Sequence, residues 1–183
     1  VLYNGGKVLL ELKRPEEALS SYERALKLNS EIAELHCARG DALRELNRPA
    51  QALGSYDRTL QINPEFGIAL YHRADLLREF KRFDEALASC RQALTLYPDF
   101  VEAAIKQADL LKDLQRFEEA LTAREYVVKL APESADAYNN RGAALADLRR
   151  YDEAIADYER AIALDPHLDI TYVNRANTLK AAG

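Results

Sequence analysis

The 183-residue sequence contains no methionine, no tryptophan and only two cysteines. Its seven glycines and six prolines are few, so regular secondary structure is expected over most of its length. No apolar run reaches the roughly 18–20 residues that cross a bilayer. The opening VLYNGGKVLL lacks the basic start and the cleavage site of a secretory signal, so we expect a cytoplasmic protein with no membrane partner. The lack of any methionine, a start methionine included, favours a fragment of a longer chain.

Motifs that carry catalytic chemistry are also missing. The sequence contains none of the patterns HExxH, GxxxxGK, GxGxxG and GxSxG, which mark zinc peptidases, phosphate-binding loops, dinucleotide folds and nucleophile elbows. Cys37 and Cys90 form no CxxC motif, and the three histidines show no metal-ligand spacing with them. We therefore predict a protein that is not an enzyme, with no catalytic residue, no metal site and no cofactor.

Acidic residues outnumber basic residues, 30 to 25. The formal net charge is −5 and the isoelectric point is about 5.3. Nucleic acids and anionic lipid surfaces bind basic faces, so neither is an expected partner. Hydrophobic residues make up 48% and charged residues 30% of the sequence, which is typical of an ordered, helix-rich protein.

What the sequence does contain is a repeat of 34 residues. Prolines recur at this spacing: Pro64, Pro98, Pro132 and Pro166. An alanine column keeps the same register: Ala18, Ala52, Ala86, Ala120 and Ala154. A third column holds only small residues: Gly6, Gly40, Ala74, Ala108, Gly142 and Ala176. Chance does not produce such columns together, and a repeat of this length predicts a stacked architecture.

Each period carries two helical patterns. In the third repeat, IALYHRADLLREF and FDEALASCRQALTLYP both place apolar residues at helical spacing. Acidic residues begin the second helix, as in RFDEA, and suit its positive end, while a proline stops it. Because so short a hairpin cannot bury its apolar stripe alone, successive hairpins are expected to stack into a solenoid.

These columns resemble the tetratricopeptide repeat, through Gly142, Ala154, Tyr158, Ala161 and Pro166. The resemblance covers the whole chain and implies an all-α fold, a right-handed superhelical solenoid of stacked antiparallel helix pairs. We expect one solenoid over residues 1–183, with repeats at about 1–32, 33–66, 67–100, 101–134 and 135–168 and the first helix of a sixth at 169–183. Two positions depart from the tyrosine of this pattern and predict looser packing in the third and fourth repeats: Cys90 and Arg124.

In this family the first helix of each hairpin lines a concave groove. The resemblance therefore implies a peptide-binding face whose central candidates are Tyr71, Asp75, Arg78, Asp109 and Lys112. Two interpretations stay open. Asp75 and Arg78 either pair on a wet surface, which contributes only a few tenths of a kcal/mol, or belong to a mixed-charge groove that binds an extended peptide.

Asparagines at Asn140 and Asn174 share a second column, and Asn177 lies nearby. They resemble the asparagine ladder of O-linked N-acetylglucosamine transferases, whose groove grips a peptide backbone. A carboxamide suits this task because it donates and accepts hydrogen bonds at once. The column is interrupted by His72 and Lys106, so the asparagines are either peptide-binding residues or ordinary polar positions.

Arginine recurs in two further columns. One lies in the turns between paired helices, where a cation suits the C-terminal end of the first helix: Arg14, Arg48, Arg82, Arg116 and Arg150. The other is expected to pair with acids of a neighbouring helix and to cover apolar surface with its stems: Arg39, Arg73, Arg141 and Arg175.

Two functions are consistent with these patterns. The first is a protein–protein interaction scaffold that binds a protein or an extended peptide, and the second is the substrate-recognition arm of a larger glycosyltransferase of the O-linked N-acetylglucosamine type. The last helical segment keeps Val173, Ala176 and Leu179 as if another helix followed. This predicts an exposed apolar stripe and end-to-end self-association through the C-terminal helix.

Overall fold

The computed structural model describes residues 2–183, and within that range it consists of eleven α-helices without a β-strand. The first helices of the hairpins are α1 Leu2–Glu11, α3 Ala33–Glu45, α5 Gly67–Glu79, α7 Val101–Asp113, α9 Ala135–Asp147 and α11 Asp169–Ala182. The second helices are α2 Pro15–Leu28, α4 Pro49–Ile62, α6 Phe83–Leu96, α8 Phe117–Leu130 and α10 Tyr151–Leu164. The predicted all-α fold of helical hairpins is confirmed.

The helices divide between two compact units, one that ends at Tyr97 and one that runs from Pro98 to Gly183. In the first unit α1 packs on α2, α3 on α4 and α5 on α6, while α2–α3 and α4–α5 contacts join successive hairpins. In the second unit α7 packs on α8 and α9 on α10, with α8–α9 and α10–α11 contacts between hairpins. Each unit is therefore a stack of antiparallel helix pairs, and a single solenoid over residues 1–183 stays a prediction.

The turn inside each hairpin contains a residue with a positive φ angle, which the residue types in the sequence do not predict. In the turn after α3, the Arg48 N–H donates to the Leu43 carbonyl and the Asn47 N–H to the Arg44 carbonyl, both at 2.9 Å. These two bonds form a Schellman motif, which needs a residue in the left-handed region. That residue is never glycine here: φ is 57° at Lys13, 54° at Asn47, 59° at Lys81, 57° at Gln115 and 60° at Arg149.

The small-residue column makes room for a buried aromatic ring. A Cβ atom added at Gly40 would lie 2.6 Å from a ring carbon of Tyr56, and one added at Gly142 would lie 2.8 Å from the ring of Tyr158. Both tyrosines are buried. The glycines are therefore required by close packing of the ring against the first helix and not by an unusual turn.

Where the tyrosine is replaced, the glycine is replaced too. Ala74 stands opposite the position of Cys90, and Ala108 opposite that of Arg124. Cys90 is fully buried and Arg124 is 8% exposed, so each interior place is filled. The looser packing expected in the third and fourth repeats stays a prediction; in the fourth repeat a cavity of about 60 Å³ is lined by Ala108 and Arg124.

The last helix exposes an apolar stripe, as the sequence predicts. Val173 is 53% exposed and Leu179 is 45% exposed, and Ile170 and Tyr172 are exposed beside them. One face of α11 packs on α10, which leaves this stripe to solvent.

Candidate functional site

The unit that ends at Tyr97 carries a polar network on its first-helix face. The Tyr56 hydroxyl donates to Asp41 Oδ1 at 2.7 Å, and Arg44 Nη1 donates to His72 Nδ1 at 2.7 Å. Arg44 Nη2 also lies 3.7 Å from Asp75 Oδ2. Because arginine can only donate, His72 Nδ1 must accept, so its proton sits on Nε2 and the ring is neutral. The network thus links α3, α4 and α5.

Burial and charge shift the pKa values inside this network. Burial raises the pKa of Tyr56 far above its ordinary value, and the negative charge of Asp41 raises it further. For Arg44, burial by itself lowers the pKa, but Tyr56, Asp75 and Asp41 outweigh it and the pKa is raised. Tyr56 therefore stays a neutral donor and Arg44 stays a cation at any physiological pH.

A cleft of about 590 Å³ opens beside the network. Its walls come from the first helices of three successive hairpins, from the turn after α3 and from the first residue of α4: Leu10, Asp41, Arg44, Glu45, Asn47, Pro49, His72, Leu76 and Glu79. An open depression that crosses repeated helices is a surface suited to an extended ligand rather than to a closed reaction.

The predicted residues of this unit lie on α5. Tyr71 packs against His72, with ring centroids 5.3 Å apart, and Asp75 faces Arg44 of the preceding hairpin. Arg78 is half-buried one turn after Asp75. Asp75 therefore contacts the cleft-lining Arg44 of another hairpin. A surface pair between Asp75 and Arg78 alone does not describe its environment.

The predicted residues of the second unit are engaged in ion pairs. Asp109 accepts a hydrogen bond from Nη2 of the buried Arg124. Lys112 Nζ lies 2.8 Å from Asp147 Oδ2, which joins α7 to α9. A small cavity of about 60 Å³ adjoins these groups and is also lined by Asn140. Asp109 thus holds an interior cation, a role that its spacing alone does not reveal.

The asparagines form a short chain of amides. Asn174 Nδ2 donates to Asn139 Oδ1 at 3.0 Å, and Asn139 Nδ2 donates to Asn140 Oδ1 at 3.3 Å. Asn139 is buried, Asn140 and Asn174 are half-buried, and Asn177 is exposed. The buried Asn139 was not predicted as a site residue, yet it orients both predicted neighbours. The signal available in the sequence was a second asparagine directly before Asn140. Once such a side chain is buried, it is expected to be hydrogen-bonded to its neighbours.

The interhelix arginines pair with acids of a neighbouring helix, as predicted. Arg73 Nε lies 2.7 Å from Asp57 of α4, and Arg175 Nη2 lies 3.0 Å from Glu159 of α10, each in the preceding helix. Arg141 instead pairs at 2.6 Å with Asp157 in its own hairpin.

The turn arginines have a partner that the sequence analysis did not name. Arg82 donates through Nε and Nη2 to both carboxylate oxygens of Glu85, each at 2.7 Å. The same fork joins Arg14 to Glu17, Arg116 to Glu119 and Arg150 to Glu153. Arg48 has Gln51 at the corresponding place. These arginines therefore bind the first turn of the second helix, in addition to lying near the C-terminal end of the first helix.

The cysteines do not form a reactive centre. Both are buried, and burial together with Asp41 and Glu34 raises the pKa of the Cys37 thiol to about 12. Such a thiol is protonated and a poor nucleophile or metal ligand. Over residues 2–183, no group of three histidine, cysteine or carboxylate side chains is placed to hold a metal ion. In the same range, no helix is both long and apolar enough to span a bilayer.

The sequence and the fold both match a known family. Two family models described as tetratricopeptide repeat match the chain, one over residues 3–65 and 37–99 and the other over residues 135–168. The first of these spans more than half of the sequence. The protein belongs to the tetratricopeptide repeat family.

Solved structures with the same fold have low sequence identity to this chain. YrrB, a TPR protein with an unusual peptide-binding site, superposes with a TM-score of 0.84 at 23% identity, over 96% of this chain and 90% of YrrB. MamA from Desulfovibrio magneticus RS-1 gives 0.83 at 20% identity, over 92% and 95% of the two chains. PilF from Pseudomonas aeruginosa gives 0.82 at 19% identity, over 98% and 82%. No curated protein matches this sequence. These similarities define the fold and not the partner.

Proposed function

We propose that this protein is an interaction scaffold that binds an extended polypeptide along the face formed by its first helices. The cleft across α1, α3 and α5 carries this proposal, because it crosses the first helices of three successive hairpins. An extended chain advances about 3.3 Å per residue, so a few of its residues can follow such a surface. The peptide-binding site described for YrrB, which shares the fold, supports the same function.

The side chains on this face suit a peptide ligand. Tyr71, Asp75 and Arg78 offer an aromatic ring and both signs of charge in the first unit. In the second unit Asp109 and Lys112 offer charge, and Asn140, Asn174 and Asn177 offer amides that can meet a peptide main chain. The hydrogen bonds among Asn174, Asn139 and Asn140 do not use the side-chain N–H₂ of Asn140 or the side-chain carbonyl of Asn174. A donor and an acceptor therefore remain for a ligand.

The test begins with a selection of linear peptides from a random library against the purified protein. Affinities of the selected peptides are then measured by fluorescence anisotropy for Arg78→Glu and Lys112→Glu and for Asn140→Ala and Asn174→Ala. We expect the charge reversals to weaken binding more at low salt than at high salt, because exposed charges are screened over about 10 Å at 0.1 M ionic strength. The loss caused by the alanine variants should depend little on salt.

The matched controls are Arg91→Glu on α6 and Glu125→Lys on α8, both exposed residues of second helices. All variants are first compared for equal thermal stability, since Asn174→Ala also removes the hydrogen bond to Asn139. If the second-helix variants abolish binding and the first-helix variants leave it intact, the proposed binding face is wrong.

A second candidate function is the substrate-recognition arm of a larger glycosyltransferase of the O-linked N-acetylglucosamine type. The linked amides of Asn140 and Asn174 favour it, because a ladder of this kind binds peptide main chain without regard to sequence. The test is the coding sequence that follows residue 183. A glycosyltransferase domain there supports this candidate, while an unrelated domain or a stop codon contradicts it.

We also propose that α11 mediates self-association through Val173 and Leu179. Sedimentation velocity over a hundredfold concentration range should show a growing dimer fraction, which Leu179→Lys should abolish because a charge cannot be buried in an apolar contact without a large cost. The control is Leu28→Lys, at an apolar residue that is 82% exposed in the other unit. A wild-type protein that stays monomeric at every concentration refutes the proposal.

A further inference from the structure

The cleft across α1, α3 and α5 is unevenly charged. Three carboxylates line it, from Asp41, Glu45 and Glu79, against one guanidinium, from Arg44. Arg44 is already engaged, with His72 at 2.7 Å and with Asp75 at 3.7 Å. Its positive charge is therefore largely neutralised by a carboxylate outside the cleft lining, and the lining keeps an excess of negative charge.

The three carboxylates differ in how far a cation balances them. Glu45 faces Lys13 at 3.7 Å. Asp41 accepts from the neutral Tyr56 hydroxyl at 2.7 Å and faces the neutral His72 at 3.8 Å. Within residues 2–183, Glu79 forms no ion pair. Glu79 thus presents an uncompensated negative charge, and Asp41 adds a second carboxylate that shares the positive charge of Arg44 with Asp75.

The first hairpin, whose Leu10 lines the cleft, holds a buried hydroxyl that lacks a partner. Tyr22 occupies in the first hairpin the place that Tyr56 occupies in the second, but Lys7 stands where Asp41 would be its acceptor. The Tyr22 hydroxyl is buried without a hydrogen bond among the described residues. Burial, then the nearby Tyr3 and Asp41, raise the pKa of Tyr22 to about 12. A buried polar atom of this kind is expected to find a partner.

We propose that this cleft receives a lysine or arginine side chain of the bound peptide, an inference that rests on the scaffold function proposed above. The aliphatic stem would lie along Leu10 and Leu76, and the cationic head would face Asp41 and Glu79. Long basic side chains bury their stems on apolar surface and keep their heads in polar surroundings.

The experiment uses three fluorescein-labelled peptides that share one serine–alanine host sequence and differ at three positions. These positions carry lysine, acetyl-lysine or glutamate. Fluorescence anisotropy at low salt should give the tightest binding for the lysine peptide. Acetylation keeps the length of the side chain but removes its charge, so we expect it to weaken binding about fivefold or more, by analogy with the loss of several partly exposed ion pairs.

Variants of the protein locate the site of the lysine. Asp41→Asn keeps an oxygen for the Tyr56 hydroxyl and removes the charge, and Glu79→Gln removes the charge of an exposed side chain. Each should weaken the lysine peptide about two- to fivefold, as expected of one partly exposed ion pair, and should not affect the acetyl-lysine peptide. Tyr22→Phe, at a residue outside the cleft lining, should leave the affinity for the lysine peptide unchanged. The control is Asp84→Asn, an exposed acid of α6 in the same unit, which should change nothing.

The outcomes separate this inference from the scaffold function. If the three peptides bind equally, or if Asp84→Asn weakens the lysine peptide as much as Asp41→Asn does, the cationic preference of the cleft is refuted. If no host peptide binds but library-selected peptides bind and lose affinity through first-helix variants, the inference fails and the scaffold function stands. If neither the host peptides nor a library selection yields binding, both fail together.

Discussion

The hairpins α3–α4 and α7–α8 fill the same interior place in two different ways. In α3–α4 the ring of Tyr56 packs beneath Gly40, and its hydroxyl donates to Asp41. In α7–α8 the place of the ring is taken by Arg124, which is 8% exposed and bonded to Asp109. Both hairpins have helices of 13 and 14 residues. The backbone is therefore indifferent to the choice between an aromatic ring and a guanidinium.

What the two solutions share is an acid at one position of the first helix. Asp41 and Asp109 lie one residue after the small-residue column, where each can accept from the interior group of the second helix. A neutral hydroxyl and a cation both need such an acceptor when they are buried, but the cation needs it more. The comparison teaches that the acid at this position also has a structural role, as the acceptor of a buried group of the second helix.

The largest expected effect comes from removing the acceptor of the buried cation. Asp109→Ala leaves the Arg124 guanidinium buried without a counter-charge, and we expect a loss of about 3 kcal/mol, toward the lower end of the range for broken buried pairs because Asp109 is partly exposed. Asp41→Ala leaves only a neutral hydroxyl unpaired, for about 1–2 kcal/mol. Urea denaturation followed by circular dichroism measures both.

The difference between these two variants breaks or supports the comparison. A second substitution sharpens it: Arg124→Met in the Asp109→Ala background removes the unpaired charge while keeping a long side chain, so it should recover much of the lost stability. Equal losses for Asp109→Ala and Asp41→Ala, without recovery by Arg124→Met, would show that the buried guanidinium is not the source of the effect.

A second prediction concerns the space above the tyrosine ring. Gly40→Ala places a Cβ 2.6 Å from a ring carbon of Tyr56, and relief of such overpacking typically costs about 1–3 kcal/mol. Gly54→Ala is the matched control, because a Cβ at that exposed helix position meets nothing within 4 Å and alanine should stabilise the helix by about 0.5–1 kcal/mol. Thermal unfolding should move in opposite directions for the two variants. A shift of the same sign in both would remove the steric account.

Much of this architecture could be predicted from the sequence, since the positions where two helices come closest admit only small residues in every repeat. The columns that contain Ala18 and Gly6 therefore locate the helix pairs and their close contacts without further information. The departures at Cys90 and Arg124 are visible in the sequence as well. The looser packing predicted at these positions stays a prediction, because Ala74 and Ala108 on the partner helix also change the available volume.

The candidate site was less accessible to such reasoning. Spacing placed Asp75 and Asp109 in one column, yet the first faces Arg44 of another hairpin and the second holds Arg124 of its own. Which of these contacts forms depends on the rotation between hairpins and on the side chain opposite, and neither is encoded in the period. A buried position filled by arginine was the one usable signal, because such a cation requires a nearby carboxylate.

The smallest expected effect separates two tyrosines that share a ring environment. Tyr56→Phe removes a hydroxyl that donates to Asp41 at 2.7 Å, and a hydrogen bond to a charged group contributes about 1.5–3 kcal/mol, less here because Asp41 is partly solvated and keeps other partners. Tyr22→Phe removes a hydroxyl that is buried without a partner, so it should leave the free energy of unfolding unchanged or raise it. Urea denaturation of the two variants, with Tyr158→Phe as a third buried ring, provides the measurement. Because Tyr22 and Tyr56 are both fully buried, the lost ring contacts are matched and the difference isolates the acceptor at Asp41. Equal destabilisation by Tyr22→Phe and Tyr56→Phe would mean that the acid beside Gly40 contributes nothing to the hairpin, and the structural role assigned to that acid would be wrong.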